Sequence, residues 1–333
     1  MIGVGIVGAG LQGRRRADAL TQIPAARLVA ITDKDHARAR RLASVHRSEA
    51  TEDWRNMVRN RDVNLVIICT PNSTHAEIGL AAMNAGKDVL CEKPLATTLE
   101  DAERMVETSK SQGVSLWCGF NLRYHPAISQ ALKWKSEGAV GELMYIRSVY
   151  GICGRDGYDR DWRMNQALSG GGQLMDQGMH VLDLCRLFGG SYTEVKGYVS
   201  TAFWNTSVED NAFAIMKTRQ NLVAMIHVSW TQWKNLFSFE VSGKNGLVSA
   251  QGLGGSYGDE HVSLVKRPVS GRPFGETLLE FRGADDSWKL ELFQIVQAIS
   301  SKRKSGNGMD GVEALRLARA IYESSKTGHA VRV

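Results

Sequence analysis

Nowhere in its 333 residues does the chain hold roughly 18 to 20 consecutive apolar residues, the length a membrane-spanning helix needs. Cysteine is sparse and unpatterned: Cys69, Cys91, Cys118, Cys153 and Cys185 are scattered, odd in number and without a C-x-x-C pair. That excludes a disulfide framework or a zinc knuckle, and no other set of residues has the spacing of metal ligands. Internal repeats, low-complexity tracts and long linkers are absent. The excess of positive charge is small, 41 Lys and Arg against 35 Asp and Glu, and it forms no aromatic-laced basic stripe, which argues against nucleic-acid binding. The first residues, "MIGVGIVGAGLQGRRR", run apolar to basic, the reverse of a secretory signal, so a cytoplasmic chain is expected.

What is present is ordinary globular composition, 43% hydrophobic and 23% charged, in a chain long enough for two domains. Up to about residue 120, short apolar runs alternate with helical patterns. "IGVGIV", "LVAIT", "NLVIIC", "DVLC" and "SLWCGF" have the length and composition of strands buried on both faces. Between them "LQGRRRADALTQ", "HARARRLASVH", "THAEIGLAAMNAG" and "TLEDAERMVETSKSQG" carry apolar residues three and four apart. The alternation predicts an α/β fold with a doubly wound parallel sheet over residues 1–121. From 122 to 333 the runs alternate apolar and polar with turns between, as in "GELMYIRSVYG", "NAFAIMKT" and "LVAMIHVSW", which predicts a second α/β domain with a large, mostly antiparallel sheet. The helix at about 310–326 is expected to pack back on the first domain.

"GAGLQG" follows the first strand and opens the first helix. Gly8 permits the tight turn, Gly10 lets backbone approach a pyrophosphate and Gly13 lets helix pack on strand, with Leu11 and Gln12 between them. Asp33 ends the second strand, 20 residues after Gly13, where a carboxylate can bind the adenosine ribose. NAD is the expected cofactor. NADP is the alternative, because Lys34 and the run Arg14, Arg15 and Arg16 can neutralise a 2'-phosphate.

Ligands of open parallel sheets sit beyond the carboxyl ends of the strands. "VIICTPNSTHAEI" places Thr70, Pro71 and Asn72 there, with a helix cap expected at Ser73 or Thr74. "VLCEKPL" places Glu92 and Lys93 at the next strand's end, where a lysine can stabilise charge developing on a substrate oxygen. In "SGGGQLMDQGMHVLDLCRLFGG", Asp176 and His180 are four apart and so expected on one helix face. A carboxylate beside an imidazole suits general acid/base work; a capped helix with a hydrogen-bonded histidine is the simpler alternative.

Together these motifs resemble the glucose-fructose oxidoreductase, inositol dehydrogenase and MocA-like (Gfo/Idh/MocA) family. The likeness runs from "GIVGAGLQG" through "CTPNSTHAEI", "AGKDVLCEKPLATT", "NLRYHPA", "DWR" and "GGGQLMDQGMHVLD" to "GVEALRLARAIYESS". It implies an N-terminal Rossmann domain and a C-terminal domain whose open sheet makes a homodimer or homotetramer. It implies Lys93 as the catalytic lysine and His180 with Asp176 as the acid/base pair. Asn121, Arg123, Trp162 and Arg163 would lie around the nicotinamide and substrate, and His75 in "STHAEI" near the cofactor. Tyr158 and Asp159, with Arg155, Asp156 and Arg160 beside them, are candidates for reading a sugar, as are the faces of Trp230 and Trp233, although a solvated loop and simple packing are the plainer readings. The implied activity is NAD(P)-dependent hydride transfer at a CH–OH group of a sugar, cyclitol or sugar derivative. The alternatives are glycoside cleavage by transient oxidation and a non-catalytic dinucleotide sensor.

Overall fold

The structure, a computed structural model, describes residues 1–268, 274–302 and 306–333. The chain divides into two units, Met1–Asn121 with Asp286–Glu313, and Leu122–Asp285 with Ala314–Val333.

In the first unit β1 (Ile2–Val7), β2 (Ala26–Thr32), β3 (Glu49–Thr51), β4 (Leu65–Ile68), β5 (Asp88–Glu92) and β6 (Leu116–Gly119) form one parallel sheet in the order β3-β2-β1-β4-β5-β6. The order reverses between β1 and β4, so a crevice opens beyond their carboxyl ends. β4 is buried along its whole length, as a strand covered by helices on both faces must be. Helices begin where the sequence offers a cap: the Asp35 side chain accepts from Arg38 N–H ahead of His36–His46, and Thr98 does the same for Asp101 ahead of Leu99–Ser111. Thr74 does not cap its helix in this way; its hydroxyl donates 2.8 Å to Pro71 O and lies 2.8 Å from Thr70 Oγ1. The three-residue β3 and the helix Trp54–Arg59 were not expected, both being too short to show a period.

The helix Ser287–Ser300 belongs to this unit, although the sequence places it with the second domain. Leu292, Ile295 and Val296 bury against Val4, Ile6 and Leu20, and burial of that stripe assigns the helix, whatever its position along the chain.

The second unit holds β7 (Leu143–Gly151), β8 (Tyr192–Ser200), β9 (Asn211–Thr218), β10 (Val223–Ser229), β11 (Leu236–Gly243), β12 (Gly246–Gln251), β13 (Glu260–Lys266), β14 (Glu276–Phe281) and β15 (Val331–Arg332). They form one sheet in the order β14-β13-β12-β11-β7-β10-β9-β8-β15. β7 and β10 pair parallel and the other neighbours antiparallel. Alternate residues of β9 and β10, such as Ala212, Ala214, Ala224 and Ile226, are buried. Phe188 of the helix Met179–Gly189 packs on Phe239 of β11 with ring centroids 5.0 Å apart. The other face carries exposed apolar side chains, among them Tyr198, Phe213, Ile215 and Met225.

The first unit also buries an ionic group. Arg16, on the helix Leu11–Leu20, is fully buried; its Nε donates to Glu92 Oε1 at 2.8 Å and its Nη1 to Glu291 Oε2 at 2.5 Å. Burial alone would push the guanidinium's pKa down, but the two carboxylates overcome it and the net shift is upward. Arg16 is therefore not available to a 2'-phosphate, the role its run offered in the sequence. Replacing Arg16 by methionine leaves two carboxylates buried without their cation, which should cost about 3–5 kcal/mol of unfolding free energy. Urea unfolding checks this, and a midpoint equal to that of the wild type would refute it.

Candidate active site

The glycine loop has the close approaches that its motif demands. Gly8 has φ +102°, and a Cβ there would lie 2.5 Å from Cys69 O; a Cβ on Gly13 would lie 1.8 Å from Gly8 O. A Cβ on Gly10 would meet nothing within 4 Å, so that backbone faces open space. The helix Leu11–Leu20 starts with no side-chain cap and no acidic residue in its first turn, leaving its first amides for an anion. The carboxylate of Asp33 accepts from Ala9 N–H at 2.7 Å and Asp35 N–H at 2.8 Å, which ties the glycine loop to the end of β2. These features fit a dinucleotide. Lys34 is exposed, but the arginine run is largely committed: Arg16 is buried and Arg15 lies 4.5 Å over the ring of Trp288.

At the ends of β4 and β5 one side chain joins two loops. His75 is fully buried, with Nδ1 2.8 Å from Pro94 O and Nε2 2.9 Å from Thr70 O. Expected near the cofactor, its ring is enclosed between the loop of Thr70, Pro71 and Asn72 and the loop of Lys93, where the Lys93–Pro94 bond is cis. Lys93 is half-buried, while the carboxylate of Glu92, also expected at the cofactor, points into the pair with Arg16. Gly119, opposite Glu92 in the sheet register, leaves room for that pair: a Cβ there would be 2.9 Å from Glu92 Oε2 and 3.0 Å from Arg16 Nη2. Asn121 is buried and donates from Nδ2 to Ser287 Oγ at 2.8 Å, so part of its amide is used in the protein.

In the second unit Asp176 lies in a π-helical turn, Leu174–Gly178, and His180 on the α-helix that continues it. Gly178 N–H bonds to Gln173 O, five residues back, at 3.0 Å. The expected one-face geometry of residues four apart is an α-helical rule and does not carry across this wider turn. Arg163 sits 3.5 Å from Asp176 Oδ2 and donates to Asp161 Oδ1 at 3.0 Å, while its guanidinium lies 4.8 Å over Trp162. Burial works to lower the pKa of Arg163, but Asp176 and Asp161 outweigh it and the net shift is upward. Arg123, expected at the nicotinamide and substrate, donates through Nε and Nη2 to both carboxylate oxygens of Asp183. Asp183 is on the His180 helix, so this fork fixes the helix instead.

Tyr158 is 3% exposed, its ring packed 5.6 Å from Trp204 and 5.4 Å from Trp230. Its expected role at a sugar is reduced to its hydroxyl, whose pKa is pushed up by burial first and by Asp176 next. Trp230 is fully buried and is packing, whereas Trp233 is 64% exposed and Asp159 is exposed.

With this geometry the chain can be compared with known proteins. Residues 2–120 match the model of the oxidoreductase family with an NAD-binding Rossmann fold, and residues 128–249 match that of the GFO/IDH/MocA C-terminal domain. The chain belongs to the Gfo/Idh/MocA family. The myo-inositol 2-dehydrogenase of Thermotoga maritima is 30% identical over 342 residues, 99% of this chain and 98% of that protein. The levoglucosan dehydrogenase of Pseudarthrobacter phenanthrenivorans is 32% identical over 214 residues, covering 60% of this chain and about half, 54%, of that protein. Among solved structures, GenD2 from gentamicin A biosynthesis in complex with NAD has a TM-score of 0.87 at 25% identity, covering 100% of this chain and 96% of that one. Levoglucosan dehydrogenase in complex with NADH and levoglucosan has a TM-score of 0.90 at 24% identity, covering 100% and 99%, and shares the fold. As a Gfo/Idh/MocA member, this chain is an NAD-dependent oxidoreductase with a Rossmann domain. Among its described residues no helix is long and apolar enough to cross a membrane.

Sequence reasoning missed Asp161, Asp183 and the structural duty of Glu92. Asp183 had a signal, an acid three residues after His180 inside an otherwise apolar helix; Arg16 had none, because only the fold buries it. The pKa of His75 is lowered, with burial outweighing the two carbonyls that favour its charged form. A histidine whose pKa is lowered by folding contributes stability that is present above its unfolded pKa of about 6.5 and lost progressively as pH falls below it. Unfolding free energy should therefore fall between pH 7 and pH 5.5, and His75→Asn should flatten that slope; equal slopes in urea titrations would refute the assignment.

Proposed function

We propose that this enzyme moves a hydride between NAD and a ring CH–OH carbon of a sugar, cyclitol or sugar derivative, with Lys93, Asp176 and His180 as its catalytic groups. The observation that carries the reading is the placement of Asp176 in a π turn, ion-paired with Arg163 at 3.5 Å, directly ahead of a histidine. A carboxylate ion-paired with an arginine can accept a hydrogen bond from a substrate hydroxyl while the imidazole exchanges a proton. In the oxidative direction His180 takes the hydroxyl proton as the carbon gives up its hydride, and the Lys93 ammonium stabilises the developing alkoxide. NAD, when bound, supplies the hydride acceptor. Gly8, Gly10, Leu11, Gln12, Asp33, Thr70, Pro71 and Asn72 would hold it, with Trp162 and Arg163 near its nicotinamide.

The commitments of Arg15 and Arg16 and the carboxylate of Asp33 favour NAD over NADP. The inositol and levoglucosan relatives are named dehydrogenases, which supports net oxidation over glycoside cleavage. A sensor without catalysis would have no use for a proton-transfer pair. We also read the exposed apolar face around Phe213 and Ile215 as the surface on which copies of the chain associate.

Absorbance of reduced cofactor, followed with NAD and NADP against inositols, anhydrosugars, free sugars and sugar phosphates, tests the reading; signal should appear with NAD and a polyol. Lys93→Ala and His180→Ala should each lower turnover by about 100-fold or more, and near-normal turnover in both would overturn the assignment. Ile215→Glu should convert the sedimenting oligomer to monomer; an unchanged sedimentation coefficient would remove the association surface.

A further inference from the structure

We infer that Glu209 is a positioning residue for the catalytic turn, gripping from β9's approach the backbone that leads into Asp176 and His180. Three consecutive amides end on this one residue. Gly172 N–H donates to Glu209 Oε2 at 2.9 Å, Gln173 N–H to the Glu209 backbone oxygen at 3.0 Å, and Leu174 N–H to Glu209 Oε1 at 2.9 Å. Tyr322, on the helix Gly308–Thr327, donates its hydroxyl to the same Oε1 at 2.8 Å. The turn has no side-chain cap of its own, so these bonds satisfy amides that a helix start leaves unpaired.

The grip explains a motif that the reaction itself leaves unused, the glycines before the helix. A Cβ on Gly172 would lie 1.9 Å from Glu209 O, and a Cβ on Gly171 would lie 2.2 Å from the Tyr322 hydroxyl oxygen. Side chains at either position would push Glu209 and Tyr322 off the turn. Glu209 is 6% exposed; burial drives its carboxyl pKa up, and the Leu174 amide and Tyr322 hydroxyl only partly offset this. A buried carboxylate with several donors is a costly way to fill space, but it fixes backbone in one geometry.

The assignment rests on the acid/base reading of Asp176 and His180, and its test separates the two. Glu209→Gln keeps the shape but has one acceptor oxygen, so its amide nitrogen must face either Gly172 N–H or the pair formed by Leu174 N–H and Tyr322 O–H. Hydrogen exchange followed by mass spectrometry should then show amides 172–180 exchanging about tenfold faster or more, with β7 to β12 protected as in the wild type. On the polyol found active with NAD, kcat should fall about 10- to 100-fold, as a displaced catalytic group entails, with NADH affinity by fluorescence unchanged. Tyr322→Phe, which keeps the carboxylate and all three amide bonds, should lower kcat less than Glu209→Gln does, by about fivefold, because only one of the carboxylate's donors is removed. Wild-type exchange over 172–180 in Glu209→Gln would overturn the proposal, as would loss of protection throughout the second unit or a parallel loss of NADH affinity. If His180→Ala keeps its turnover, the acid/base reading falls, and the exchange result still judges the grip of Glu209 on the turn.

Discussion

The buried guanidinium of Arg16 is the constraint from which the first unit's chemistry follows. It lies three residues beyond Gly13, on the helix that the glycine loop opens, and it holds Glu92, the residue immediately before Lys93. Through Glu291 it also holds the helix Ser287–Ser300, which enters this unit from far along the chain. One cation with two carboxylates is a poor source of net stability, since desolvation consumes most of the attraction. Its value is geometric. A guanidinium presents its donors in a fixed planar fork, so three elements are set relative to one another by a single side chain. Gly119 completes the arrangement by being absent of side chain where a Cβ would come within 2.9 Å of Glu92.

The sequence made the parallel sheet, the glycine loop and the positions of the strand ends legible because each is specified locally. Strand, turn and helix alternate with short-range patterns, and ligand positions follow from the carboxyl ends of parallel strands. What stayed illegible was specified at long range. Arg14, Arg15 and Arg16 look alike in sequence, yet Arg16 is buried and Arg15 stacks on Trp288. Arg123 looked like a substrate ligand until the fold brought Asp183 to it. The burial of His75 and Tyr158 was hidden for the same reason: neither periodicity nor a motif reports burial of a single residue. The π turn is a further case, since the spacing of Asp176 and His180 is compatible with either hydrogen-bond interval.

A common plan emerges within each unit taken by itself. Lys93 lies between Glu92, fixed by Arg16, and Pro94, whose carbonyl is held by His75. His180 lies between a turn whose amides end on Glu209 and Asp183, which Arg123 grips through both carboxylate oxygens. In both places the side chain proposed to act in catalysis has chain neighbours that are fixed, through bonds made on the backbone or on a nearby residue. This explains the density of buried ionic and polar groups at these two points in otherwise apolar cores. Such groups add little to stability, but a displacement of a catalytic group by an ångström is costly, and rigid forks and carboxylates with several donors are the means by which a fold prevents it.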